Sequence, residues 1–255
     1  MSNITNKLKF TVFLITVALG TGFAGAEELS PGEIIKRVDE NHYLSSAKVQ
    51  SVMIIEDRGR TIKKEMTSYV QTTENKSRGL SEFTNPRDRG TKYLKIGDDM
   101  WMYFPDAEDL IKISGHMLRQ GMMGSDFSYE DILESEKLTD LYNFELEGTE
   151  KINQQVAYRL LSTAKEDRQP SYQKRRIWVD RGRFIVLKEH LFSASGRLLK
   201  ELNTEKVKEF NGRWIPVIQV MNDKLRRETR TTFRIKEIEP DYDIPEGLIS
   251  LEALQ

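Results

Sequence analysis

The stretch TKYLKIGDDMWMYFPDAEDLIKI, Thr91 to Ile113, decides the fold class. Three short runs, Thr91 to Ile96, Met100 to Phe104 and Asp109 to Ile113, read as strands. Gly97-Asp98-Asp99 separates the first two and Pro105-Asp106 follows the second, both turn-forming sequences. Connections this short force neighbouring strands to pair antiparallel. Within the middle run, alternation sends Trp101 and Tyr103 to one face and Met100, Met102 and Phe104 to the other. Both sets are apolar, so this strand reads as covered on both sides.

The same grammar extends outward in both directions. Upstream, Ala47 to Glu56, Arg60 to Thr73 and Lys76 to Phe83 are β-rich, with a turn at Arg58-Gly59. In the second of these, Ile62, Met66 and Val70 share one face while Lys63, Glu65, Thr67 and Tyr69 share the other, the period-two pattern of a strand with one buried side. Downstream, strands are expected near 143–152, 155–165, 173–181, 184–193, 197–209, 213–221 and 226–238, with turns at Ser195-Gly196 and Asn211-Gly212. The crossover helices that a parallel sheet needs are missing. Consecutive hairpins make one wide antiparallel sheet, and a sheet that wide curls. The expected fold is therefore mainly β, an incomplete barrel with helices over its mouth.

Two helices are legible. Ser30 is a good N-cap, Pro31 suits the first helical position and Glu33 completes a capping box, so a helix is predicted from Pro31 to about Asn41. Its Ile34, Ile35 and Val38 form an apolar stripe. A short second helix follows Ser128, with Asp131 at the third position and Ile132 and Leu133 on its apolar side. Between strands and helix, Ser114 to Asp126 has no clear period but carries methionines and glycines. From Pro240 onward the chain reads as irregular, with one last turn.

The first 26 residues have the parts of a cleavable secretory signal: Lys7 and Lys9, an apolar run from Phe10 to Leu19, and Ala24-Gly25-Ala26 before the expected cut at Glu27. That run is about ten residues long, half of the roughly 20 a membrane span needs. Residues 27–255 are then expected to form a single domain in the periplasm. Of 39 basic residues, the loss of two lysines leaves 37 against 40 acidic, which is no nucleic-acid footprint. With no cysteine, the chain can hold neither a disulfide nor a cysteine-linked lipid anchor.

Catalytic signatures are lacking. His42, His116 and His190 are far apart, no metal-binding spacing is present, and neither a Gly-x-Ser-x-Gly elbow nor a phosphate loop occurs. No enzymatic activity, cofactor or metal is expected. The basic runs Lys174-Arg175-Arg176 and Lys224 to Arg227 read as outward and turn positions of a solvated sheet, or as contacts for anionic lipid. The Met-rich segment with Met117, Leu118, Met122, Met123 and Phe127 has two readings. It is either a mobile lining for an apolar ligand, since methionine surfaces adapt, or core filling under a loop.

Gly90 to Pro105 and Gly124 to Asp131, with Arg176 to Asp180, Gly196 to Lys200, Asn211 to Pro216 and Ile244-Pro245, resemble the outer-membrane lipoprotein-sorting proteins of the LolA-like superfamily. Within it they resemble the branch often found beside RND-type exporters. The resemblance implies a roughly eleven-stranded incomplete barrel with a helical lid over an apolar cavity. It implies a monomeric periplasmic carrier that binds acyl chains of lipoproteins or other lipids and moves them between the inner and outer membranes. An RND-type or other inner-membrane transporter would be the donor and an outer-membrane protein the acceptor; the alternative is a non-catalytic accessory partner of an RND-type pump. The candidate cavity or lid residues are Ile34, Ile35, Val38, Met66, Trp101, Tyr103, Phe104, Met117, Leu118, Met122, Met123 and Phe127.

Overall fold

Strands dominate the computed structural model of the protein, which describes residues 29–42, 44–73, 76–134 and 138–254. The expected signal segment, 1–26, lies outside these residues. The strands run β1 (Ser46–Asp57), β2 (Arg60–Thr72), β3 (Ser77–Phe83), β4 (Lys92–Ile96), β5 (Asp99–Phe104) and β6 (Asp109–Ile113). After two short helices come β7 (Tyr142–Ile152), β8 (Gln155–Ala164), β9 (Lys174–Asp180), β10 (Val186–Phe192), β11 (Leu198–Phe210), β12 (Arg213–Asp223) and β13 (Thr229–Pro240). Each of the thirteen runs read from alternation forms a strand, two more than the resemblance implies. The turn at Asn211-Gly212 has φ of 48° and 77°, the left-handed pair that a two-residue hairpin demands. β13 begins later than alternation suggests, because Arg226 and Glu228 complete a turn in which Glu228 has φ 57°.

All thirteen strands join one antiparallel sheet in the order β6-β5-β4-β3-β2-β1-β13-β12-β11-β10-β9-β8-β7. Two meanders are thus stitched together by the pairing of the first strand with the last, from Ala47 opposite Pro240 to Asp57 opposite Thr229. The sheet curves but does not close into a barrel, since the outermost strands β6 and β7 do not pair. This topology has a physical consequence. The two edges are consecutive in sequence, and the described residues between them, 114–134 and 138–141, lie over the open sheet. They form a strap over one face.

α1 (Pro31–His42) opens the described chain, one residue longer than predicted. Its capping box is present: Glu33 N donates to Ser30 Oγ at 3.3 Å and Ser30 N to Glu33 Oε2 at 2.9 Å. Ile34, Ile35 and Val38 are fully buried against Tyr158, Leu160, Ile177 and Val179 of β8 and β9. Full burial of such side chains contributes about 1.5–3 kcal/mol each. The strap carries two one-turn 3-10 segments, then α2 (Tyr129–Leu133) and α3 (Leu138–Leu141). α3 escapes sequence reading because one turn is too short to show a period. Among the described residues, no helix is long and apolar enough to cross a membrane.

β5 is covered on both sides. Met100 and Met102 pack beneath the strap, while Trp101 and Tyr103 face the opposite side with Leu80 and Leu94. There the chain's end folds over them, burying Ile249 and Leu254, and Lys92 Nζ donates to the carbonyls of Ala253 and Leu254 at 2.8 and 3.3 Å.

Candidate functional site

Between sheet and strap lies a cavity of about 520 Å³. Its floor comes from alternate residues of β1, β2, β3, β4 and β5, where Met53, Met66, Phe83, Tyr93 and Met100 point inward. Phe233 of β13, Met221 of β12 and Leu202 of β11 continue it. Met122, Phe127 and Ile132 of the strap form the roof, and Leu44 and Leu138 also line the hollow.

The strap is fastened at three places. Asp126, buried, accepts from Thr229 Oγ1 at 2.6 Å and from Thr231 Oγ1 at 2.7 Å on β13, and its own N–H donates to Thr231 Oγ1 at 2.9 Å. Arg226 adds hydrogen bonds to the carbonyls of Gly124 and Ser125 at 3.1 and 3.0 Å. On the far side, Tyr129 OH meets Tyr93 OH at 3.2 Å, and burial raises both phenol pKa values. Gly121 is required between these points, since a Cβ there would lie 2.0 Å from the Ser125 carbonyl oxygen.

The third fastening is ionic. Ser128 caps α2 by accepting from Asp131 N at 3.4 Å, and Asp131 Oδ2 accepts in return from Ser128 N at 2.7 Å. Lys200 Nζ of β11 reaches the same pair, at 2.5 Å from Asp131 Oδ2 and 2.9 Å from Ser128 Oγ, while Tyr172 OH donates to Asp131 Oδ1 at 2.6 Å. Beside it, Arg175 of β9 donates to Glu189 at 3.0 Å, to Glu134 at 3.3 Å and to Tyr142 OH at 2.8 Å. Burial works against the Arg175 charge, but Glu189, Tyr142 and Glu134 outweigh it and hold the guanidinium firmly protonated. Burial pushes the Glu189 carboxyl above its ordinary value, with Arg175 offsetting part of the rise. Tyr142 is pushed up to about 12 by burial, against the pull of Arg175.

Asp131, Arg175 and Glu189 border the cavity, yet each has an opposite charge beside it. Arg78 and Lys95 border the cavity as well, so polar side chains interrupt the apolar lining. Among the described residues, no group of three or more His, Asp or Glu could hold a metal ion. His190 lies on the other face of the sheet, against the Trp178 ring at a centroid distance of 4.9 Å, and His116 lies in the strap.

The twelve candidate residues separate into four groups. Met66, Met122 and Phe127 line the cavity. Phe104, Met117, Leu118 and Met123 pack in the apolar cluster around it. Ile34, Ile35 and Val38 sit in the neighbouring cluster beneath α1. Trp101 and Tyr103 lie on the opposite face under the chain's end. Sequence reading missed Met53, Phe83, Tyr93, Met100, Met221 and Phe233. Their inward phase is visible in alternation, but only strand order shows which of them meet. In the run Lys174-Arg175-Arg176, read as outward positions or as contacts for anionic lipid, Arg175 is buried on the cavity side of β9.

Comparison with known proteins fits this geometry. A DUF1329 family protein from Desulfovibrio piger superposes with a TM-score of 0.83 at 24% identity, over 88% of this chain and 98% of that one. A domain described as an outer membrane lipoprotein-sorting protein, from Vibrio parahaemolyticus, gives 0.78 at 22% identity over 88% and 97%. A LolA superfamily protein from Nitrosomonas europaea gives 0.72 at 23% identity over 89% and 100%. No curated protein matches the chain. A family model described as "Uncharacterized protein" matches residues 75–255. The chain belongs to that family, and its fold is that of the LolA superfamily and the outer-membrane lipoprotein-sorting proteins.

Proposed function

We propose that this protein is a periplasmic carrier that binds the acyl chains of lipoproteins or other lipids and moves them between the inner and outer membranes. The observation that carries this reading is the unfilled, largely apolar hollow of about 520 Å³ beneath a fastened strap. Hydrocarbon entering it leaves water at a gain of about 0.8 kcal/mol per buried CH₂, so a sixteen-carbon chain gains on the order of 12 kcal/mol. That alone corresponds to roughly nanomolar binding, too tight for ready transfer. Displacing Met122, Phe127 and Ile132 to admit the chain costs their own contacts and lowers the net affinity to a transferable one. The carrier then needs no covalent chemistry and no nucleotide. A donor in the inner membrane, such as an RND-type exporter, and an acceptor in the outer membrane complete the cycle.

A fluorescent fatty acid titrated into the delipidated full chain tests this. Ser81 lines the cavity, partly exposed, opposite Ser68. Ser81→Phe fills space without opening the core. It should weaken binding by about tenfold or more, the loss of a few buried methylenes, and leave the unfolding temperature close to that of the parent. Unchanged binding in this variant would place the ligand elsewhere.

A further inference from the structure

On the reading that lipid occupies the hollow, the positions of the strap's fastenings say where it enters. The strap's partners on the sheet are Tyr93 of β4, Arg175 of β9, Lys200 of β11, and Thr229 and Thr231 of β13. Alternate strands of an antiparallel sheet run the same way, so β2, β4, β9, β11 and β13 share one direction. Each of those partners is among the first three residues of its strand. The fastenings therefore gather at one end of the sheet. The cavity lining reaches the other end. Thr72, the last residue of β2, lies ten residues beyond Ile62, which shares a row with Ile55 of β1 and Thr231 of β13. That separation is about 33 Å along the strand.

Toward that far end the inward face loses its cover. On β2 and β3, Met66 stands opposite Phe83, and they are 5% and 0% exposed. The pairs that follow, Ser68 with Ser81, Val70 with Gly79 and Thr72 with Ser77, also line the hollow, yet all six residues are half-buried. The face that is sealed beneath the strap is thus accessible beyond it. Apolar groups border this end as well. β1 and β12 run opposite to β2, so Leu44, two residues before β1, and Ile215, the third residue of β12, lie there and line the cavity. A hydrocarbon tail arriving at this rim meets apolar surface before it reaches Met66 and Phe83.

We propose that lipid enters and leaves endwise, between the end of β2 and Leu44, while the strap stays fastened. The roof side chains move aside, and Asp126, Tyr129 and Asp131 keep their bonds to the sheet. This rim, rather than the strap, is then the surface that a donor or an acceptor has to face. The chain has no cysteine, so an introduced thiol is unique. Ser77→Cys places one at the proposed mouth, and Val70→Cys places a second probe in the same rim. Leu225→Cys, at a position 54% exposed, places one in the turn between β12 and β13, at the fastened end. Uptake of a fluorescent C16 fatty acid by each delipidated full-length variant is followed by stopped flow, before and after coupling to a bulky methanethiosulfonate reagent. Each unlabelled variant is its own reference, which separates blockage from a folding defect. The label on S77C or V70C should slow uptake by about tenfold or more, and reduction should restore the rate. The label on L225C should leave it unchanged. Slowing in L225C alone, equal slowing at both ends or slowing at neither would overturn endwise entry and leave the carrier reading intact. A parent chain that never takes up the probe would overturn both.

Discussion

Arg175 shows how much one side chain can hold. It touches Glu189, Glu134 and Tyr142 while itself buried. Arg175→Met would leave the buried Glu189 charge without its partner, and the expected cost is about 3–5 kcal/mol in urea unfolding. Removing both charges, as Arg175→Met with Glu189→Leu, should be less damaging than the single change, because no uncompensated charge remains. Two other carboxyls contribute to the response to acid. Burial raises Asp88, but hydrogen bonds from Asn85 and Lys64 and the Lys64 charge outweigh it, so its pKa lies below the ordinary 3.8. Asp180 is likewise raised by burial and brought lower by the Arg183 side chain and by the backbone N–H groups of Arg183 and Gly182. A depressed folded-state pKa contributes stability above the unfolded value, and that contribution disappears as pH falls through the folded one. The unfolding temperature should therefore drop steeply below about pH 4, and Asp180→Asn should flatten part of that drop. An identical acid limb in the variant would contradict the assignment. None of this pairing is legible in sequence. Arg175 stands in a Lys-Arg-Arg run that looks like solvated surface, and only the cross-strand pairing with Leu191, beside Glu189, shows that it points inward.

Among the elements, the strap has the most to do. Its helix was readable because Ser128 and Asp131 stand at capping-box spacing. Its path over the cavity was not, because methionine-rich segments carry no period and their position is fixed by strand order alone. The strap's ionic fastening predicts its dynamics. Lys200→Met removes the cation from Asp131, which keeps only Tyr172 OH and the Ser128 and backbone contacts. Amide hydrogen exchange across 121–134 should then quicken by more than tenfold, equivalent to about 1.4 kcal/mol or more of local opening. Exchange in β1, β12 and β13 should change far less. Equal acceleration everywhere would show that the contact supports the whole sheet rather than the strap. The opposite face of β5 was also partly legible: apolar residues on both sides of one strand required two covers. Which cover lay outside was not, since the chain's end has no periodicity to announce Ile249 and Leu254 as its fillers.

For the molecule as a whole, one topological fact organises everything else. Two meanders joined through β1 and β13 leave their free edges at β6 and β7, and the described chain between those edges lies over the open face. Short turns and strict alternation made the sheet itself readable, because both are local. The hollow is not local: it is the space left where residues from β1, β2, β3, β12 and β13 fail to meet the strap, and no window of sequence contains it. Native mass spectrometry of the full chain, purified from cells without detergent, tests that hollow most directly. The expected result is a bound species of lipid mass, lost on solvent extraction and regained on adding a fatty acid. The bare chain mass in every charge state, together with no uptake by the extracted protein, would contradict it.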